Sequence, residues 1–254
     1  MTGYDLGTRA FASALFLAVS LSARAIPAAA APPGAHCDSP AAAGVDWRRC
    51  DKTGAALPGV DLSRAALGET TFARANLAGA NFAGANLYAA MFYDANLVRA
   101  RFEAAKLRGV AFSGANLEGT RFARADMERV LFFKSRANGA DFSDTRLTAA
   151  HFEDSRLERA VFARADLTSA SFVQAIMVKS DLSGAILAGV DFSGADLDGA
   201  RLVGADLSGA NFVGANLKGA RLEKANLAGA VFIGAIWIDG KRCGPGSVGM
   251  CKPN

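Results

Sequence analysis

Large apolar residues recur at every fifth position through most of the chain. From Leu62 to Trp237 each fifth residue is Leu, Phe, Met or Trp, with Ala137 the one exception, giving 36 consecutive units without an insertion. Two residues before each sits something small: Ala, Val, Ser or Thr. The remaining three places collect Asn, Asp, Arg, Ser and Gly. A period of five fits neither the 3.6 of a helix nor the 2 of an ordinary strand. It predicts a stack of short repeats that share one core, running over residues 55–239 as a single unit.

Units such as Ala75-Asn76-Leu77-Ala78-Gly79 and Ala80-Asn81-Phe82-Ala83-Gly84 follow the pattern A-[D/N]-[L/F]-x-G. This pattern resembles the pentapeptide-repeat proteins. The resemblance implies an all-β fold, a right-handed quadrilateral β-helix in which each pentapeptide makes one side and four make a coil. It implies about nine coils, which at a strand spacing of ~4.8 Å make a rod of roughly 43 Å. The large residue then points inward and stacks on its equivalent 20 residues away, with the small residue beside it. Phasing by 20 gives one unbroken phenylalanine ladder from Phe72 to Phe232. Opposite it run Leu62, Phe82 to Phe162, then Leu182, Leu202 and Leu222. Each buried Leu or Phe contributes about 1.5–3 kcal/mol before chain entropy offsets most of the sum. Asn76, Asn96 and Asn116 share one outer face and are expected to form a side-chain ladder. Ala137 leaves space where a Leu belongs, and Phe133 is a candidate to fill it.

The turn place differs along the chain. From Gly184 to Gly234 it is Gly in ten of eleven units, whereas between Arg99 and Arg164 it is often charged. The second half is expected to be the more regular rod, and the middle to carry the surface detail.

Outside the beat, residues 1–31 read as an export signal. Arg9 closes a weakly positive start, Ala10 to Ala23 is apolar, and Ala28-Ala29-Ala30 offers a cleavage site. Arg24 ends the run short of the ~20 apolar residues a spanning helix needs. The mature protein is expected to begin near Ala31 and to be periplasmic or secreted. Residues 32–54 and 240–254 read as caps over the ends of the rod. They hold the four cysteines, Cys37, Cys50, Cys243 and Cys251. An exported chain with an even count suggests disulfides, and four cysteines allow three pairings. The ends of a long rod lie too far apart for one bond, so Cys37–Cys50 and Cys243–Cys251 are favoured. The ending W-x-D-G-x-x-C…C, from Trp237 to Cys251, resembles that of exported members of the family.

Charge narrows the function. The chain carries +4 overall, but residues 57–240 hold 20 basic and 20 acidic side chains. That excludes the one-sign field that nucleic-acid binding needs. The family resemblance also implies a second function, mimicry of duplex DNA to bind type II topoisomerases. Mimicry of that kind needs a strongly acidic rod. Gly-rich strings such as Gly79 to Gly84 follow the beat and precede no helix, so they are not phosphate loops. No catalytic set is legible, since the only histidines are His36 and His151, and no metal-ligand spacing is present. No cofactor is expected. The favoured reading is an exported, non-enzymatic scaffold with an unidentified protein partner, no nucleic acid, no stable membrane anchor after cleavage, and room for a homodimer. The candidate partner surface flanks the phenylalanine ladder. Most outward places there are small or polar, but Met91 and Tyr93 flank Phe92, and Leu131 and Phe133 flank Phe132. Tyr88 and His151 border them, and clustered exposed apolar groups often mark binding sites.

Overall fold

The computed structural model describes residues 36–253. The expected export signal and its cleavage site lie outside these residues. The rod is built from single parallel bridges, each joining a residue to the one 20 positions later, from Asp46↔Ala66 to Asn216↔Ile236. Four pentapeptides therefore complete one coil. No side extends into a continuous strand. Each consists of one bridged residue, the large inward residue, a two-residue turn and the small inward residue.

The four walls are named here by their inward ladders. Wall 1 holds Phe72 to Phe232, wall 2 Leu77 to Trp237, wall 3 Leu62 to Leu222, and wall 4 Leu67 to Leu227. The inward side chains are completely buried through most of their length. Phenylalanines on wall 1 stack with centroids 4.5 Å apart at Phe132–Phe152 and 5.2 Å apart at Phe172–Phe192. Wall 3 phenylalanines stack likewise, 4.6 Å apart at Phe82–Phe102. The two ladders meet edge to face across the core, as at Phe102–Phe112, 5.8 Å and 81°. This is the arrangement the ring quadrupole favours.

Two expectations need correction, and one choice left open by the sequence is decided. First, the coil geometry does not start at residue 55. Trp47 is 2% exposed and takes the inward place of wall 4, one rung below Leu67. Its N–H donates to the Ala66 carbonyl as the N–H of Leu67 does to Asn86. Trp47 lies on the five-residue beat. Lys52 interrupts that beat, and its ammonium sits 3.8 Å from the Trp47 ring centroid and donates to the Cys37 carbonyl. Second, the asparagine ladder is only partly made. Asn96 Nδ2 donates to Asn76 Oδ1 at 3.0 Å, but Asn116 Oδ1 accepts only from the Glu118 N–H. The recurring role of Asn and Asp is local. Their Oδ1 accepts the N–H two residues on, as at Asp61–Ser63 and Asp191–Ser193. That is an Asx turn, which satisfies a backbone donor facing outward. Third, Phe133 does not fill the space at Ala137. It faces outward, and Ala137 keeps its place through its N–H to the Arg156 carbonyl.

The turn place has positive φ throughout the rod. Twenty non-glycine residues adopt it, from +53° at Ala89 to +61° at Arg124. Both ends carry disulfides, Cys37–Cys50 and Cys243–Cys251, with Cα atoms 5.5 Å and 5.2 Å apart. After Trp237 the chain turns back and pairs antiparallel, Ile236↔Arg242, Val231↔Val248 and Cys243↔Pro253.

Candidate functional site

Wall 1 positions the candidate surface because its inward residue is always Phe. The two neighbours of each Phe must therefore face out, and bridges at 20-residue intervals stack them in columns. One column runs Thr71, Met91, Ala111, Leu131, His151 and Ser171. The other runs Ala73, Tyr93, Ser113, Phe133, Glu153 and Val173. Tyr93 is 42% exposed and Phe133 is 37% exposed. Met91, Leu131 and His151 are half-buried in their column, and Ala111 between the first two is buried. Tyr88 projects from wall 4 and is 58% exposed.

Phe133 and His151 form a unit. Their rings stack at 5.5 Å with planes 23° apart. His151 Nδ1 lies 3.0 Å from Glu153 Oε1, so the carboxylate fixes the imidazole orientation. The other oxygen, Glu153 Oε2, is buried and has no partner among the described residues. The sequence placed His151 at the border of the candidate surface, and no local signal pointed to its pairing with Phe133. The i, i+18 relation that joins them is visible only once the coil length is known to be 20.

Elsewhere the surface is charged and mostly self-paired. Glu128 receives Arg108 at 2.9 Å and Arg146 at 3.4 Å. The Arg164 guanidinium hydrogen-bonds both oxygens of Asp144 and holds that carboxyl below its usual range. The Ser208 N–H does the same for Asp206, helped by the Ser208 side chain and Asn226. A shallow groove of about 550 Å³ on wall 2 is lined by Glu118, Asn138, Gly139, Glu158, Arg159, Val178 and Lys179. Among the described residues no cluster of His, Cys, Asp and Glu is placed to hold a metal ion, and no helix is long and apolar enough to cross a membrane.

Two family profiles match the rod. The pentapeptide repeat region profile matches residues 45–122 and 106–182, and the profile of eight pentapeptide repeats matches residues 175–212 and 210–236. The chain belongs to the pentapeptide-repeat family. Among solved structures it is similar to HetL, a pentapeptide repeat protein involved in heterocyst differentiation regulation from the cyanobacterium Nostoc sp. strain PCC 7120. The two are 28% identical, with a TM-score of 0.69, covering 76% of this chain and 89% of HetL. Rfr23, from the cyanobacterium Cyanothece 51142, is 34% identical over 36% of this chain and 63% of its own, with a TM-score of 0.36. QnrB1, a plasmid-mediated fluoroquinolone resistance protein, is 20% identical over 71% of this chain and 92% of its own, with a TM-score of 0.47. No curated protein sequence matches the chain. Of the three, HetL shares the coil along most of both chains with this pentapeptide-repeat protein.

Proposed function

We propose that this pentapeptide-repeat protein is an exported, non-enzymatic scaffold that binds another protein through wall 1. The coil winds to the right, about nine turns long, with a disulfide-bonded segment at each end. The observation that carries the binding reading is the exposure of Tyr88, Tyr93 and Phe133 at 58%, 42% and 37% within one short stretch of the rod. Large exposed aromatics on a rigid wall lose little entropy on binding, which suits them as anchors. Met91 and Leu131 supply the apolar floor between them, and His151 with Glu153 supplies a polar handle at the lower edge. Two local disulfides fit an oxidising compartment, in keeping with the leader.

The test is capture from the envelope fraction of the source cell with wild type and with Tyr93→Ser/Phe133→Ser. Both side chains lie outside the core, so the double variant keeps its melting temperature and loses a partner that wild type retains. A variant that unfolds, or one that captures the same partners equally well, removes wall 1 as the site. Intact mass of the natively produced protein checks export, with residues 1–30 absent as the expected result.

A further inference from the structure

The two edges of every coil are chemically unlike. Toward the C-terminal end each side offers two N–H groups and one carbonyl. On wall 3, for example, Leu62 and Arg64 donate to the carbonyls of Asn81 and Ala83, while the Val60 carbonyl accepts from Asn81. Toward the N-terminal end each side offers the reverse, two carbonyls and one N–H. Coils interlock because a donor-rich edge meets an acceptor-rich one.

Among the described residues each end of the rod is closed on only two walls. At the C-terminal end the tail covers walls 1 and 2: Phe232 donates to Ser247, Gly234 to Cys243, and Trp237 to Lys241. Walls 3 and 4 stay open. Among the described residues the N–H groups of Leu222, Lys224, Leu227 and Gly229 and the carbonyls of Ala220 and Ala225 have no partner. Leu222, Ala225 and Leu227 are half-buried, whereas Leu202, Ala205 and Leu207 one coil earlier are fully buried. At the N-terminal end the closure is the complement. Gly44 donates to Ser63 beneath wall 3 and His36 to Asp46 beneath wall 4. Beneath walls 1 and 2 the carbonyls of Asp51, Thr53, Ala56 and Pro58 have no partner among the described residues. Leu57 there is half-buried.

We infer that copies of this chain stack head to tail, the C-terminal end of one receiving the N-terminal end of the next along a common axis. With walls aligned, the segment 36–44 of the incoming copy lies over the open walls 3 and 4 of the first. The tail of the first lies beneath the open walls 1 and 2 of the incoming copy. Two half-coils then make one layer. The carbonyls of Ala41 and Ala43, without a partner among the described residues, then face the N–H groups of Leu222 and Lys224, which is the pairing one more rung of wall 3 would have made. A head-to-head pair instead sets four N–H groups and two carbonyls against the same set, leaving donors unmet. Charge controls the contact: Arg221, Glu223 and Lys224 blunt the wall 3 edge, while Asn226, Ala228 and Gly229 leave wall 4 unguarded. A heterologous contact of this kind does not close at two copies.

The test is sedimentation velocity over a concentration series, on chain from an exporting host with both disulfides formed. Wild type is expected to gain mass through dimer and beyond. Leu227→Lys blocks the upper end and Leu57→Lys the lower, and each is expected to self-associate at least tenfold more weakly. Mixed one to one, the two variants join by their free ends into a dimer that grows no further. Wild type that stays monomeric throughout overturns the inference. So does Leu57→Lys that still dimerises like wild type, since that contact is head to head. If either variant melts well below wild type, Ala228→Lys and Pro58→Lys, both exposed, replace them with the same expected outcomes.

Discussion

The middle of the rod and its C-terminal half share one backbone and differ in almost everything attached to it. From Phe82 to Phe162 wall 3 faces wall 1 with phenylalanine, and edge-to-face contacts tie the two ladders together, from Phe72–Phe82 to Phe162–Phe172. From Leu182 onward wall 3 is leucine, and only the wall 1 stack continues, Phe172–Phe192–Phe212–Phe232. The turns change at the same point, from Arg, Lys, Asp, Ala, Ser and Gln to nearly uniform Gly. Small inward places change too. Thr120, Ser135, Thr145, Ser155 and Ser180 are all buried in the middle, while the later half uses only Ala and Val. The bridge pattern runs through both halves without a break. A backbone fixed by its own hydrogen bonds tolerates this variety, so chemical individuality collects where the side chains vary, in the middle.

The largest expected difference lies in the core. Phe112 stacks on Phe92 and Phe132 and also meets Phe102 and Phe122 edge to face. Phe212 has only its two stacking neighbours. Truncating a buried Phe costs about 3–5 kcal/mol, and each aromatic pair adds about 0.5–1.5 kcal/mol beyond burial. Phe112→Ala is therefore expected near the upper end of that range and Phe212→Ala near the lower. Ser113→Ala, on the outer surface, stays within about 0.5 kcal/mol. Denaturant unfolding of the three variants measures this. Equal losses for the two phenylalanines would mean that the crossed ladders contribute nothing beyond area.

The inward ladders were legible because large and small residues recur in a period that neither a helix nor an ordinary strand uses. The Asx turns were less so: the A-[D/N] motif is plain, but which N–H donates to its side chain depends on the turn. The first rung was hidden because Lys52 breaks the apolar count, although Trp47 keeps the beat. The partner surface was legible as residues and not as an arrangement. Phe133 on His151 is a contact between coils, and the unpartnered Glu153 Oε2 beneath them has no sequence signature.

A smaller difference sits at the turns. Ala104 and Gly204 occupy the same turn of wall 3, with φ of +56° and +65°. A Cβ at Gly204 would meet nothing within 4 Å, so only backbone strain opposes a side chain there. Gly204→Ala is expected to cost about 1 kcal/mol, since an L-residue at positive φ is disfavoured by roughly that much. Ala104→Gly relieves the same strain but loosens the unfolded chain, so it is expected to be neutral to slightly stabilising. Gly194→Ala costs more than Gly204→Ala, because its Cβ would run into the Gln174 carboxamide of the coil below. Thermal melting of the three variants orders them. If Gly204→Ala is neutral, the run of glycine in the second half reflects something other than φ.

The smallest difference is electrostatic and separates two depressed carboxyls. Asp144 in the middle owes its low pKa first to the Arg164 guanidinium, with Arg124 adding a weaker attraction. Asp206 in the second half owes its own first to the Ser208 N–H, then to the Ser208 side chain and Asn226. Both folded-state values lie below the unfolded one. The stability they contribute is therefore present above the unfolded carboxylate pKa of about 3.9 and is lost as pH falls through the folded value. Asp144 is exposed and Asp206 is half-buried at the surface, so each effect is small. The two nevertheless respond differently to salt. A guanidinium–carboxylate pair at the surface is screened within a Debye length of about 3 Å at 1 M, whereas a hydrogen bond from a backbone N–H is not. Asp144→Asn is expected to lower the melting temperature slightly at about pH 6 in low salt and not at all in about 1 M salt. Asp206→Asn keeps an acceptor for the Ser208 N–H and is expected to change little in either. In low salt the gap between wild type and Asp144→Asn closes as the pH falls through the lowered folded-state value, below which the wild-type carboxyl is protonated too. A gap that survives both high salt and acid would place the role of Asp144 in packing against Arg164, and the charged turns of the middle would then be structural in the same sense as the glycines that follow them.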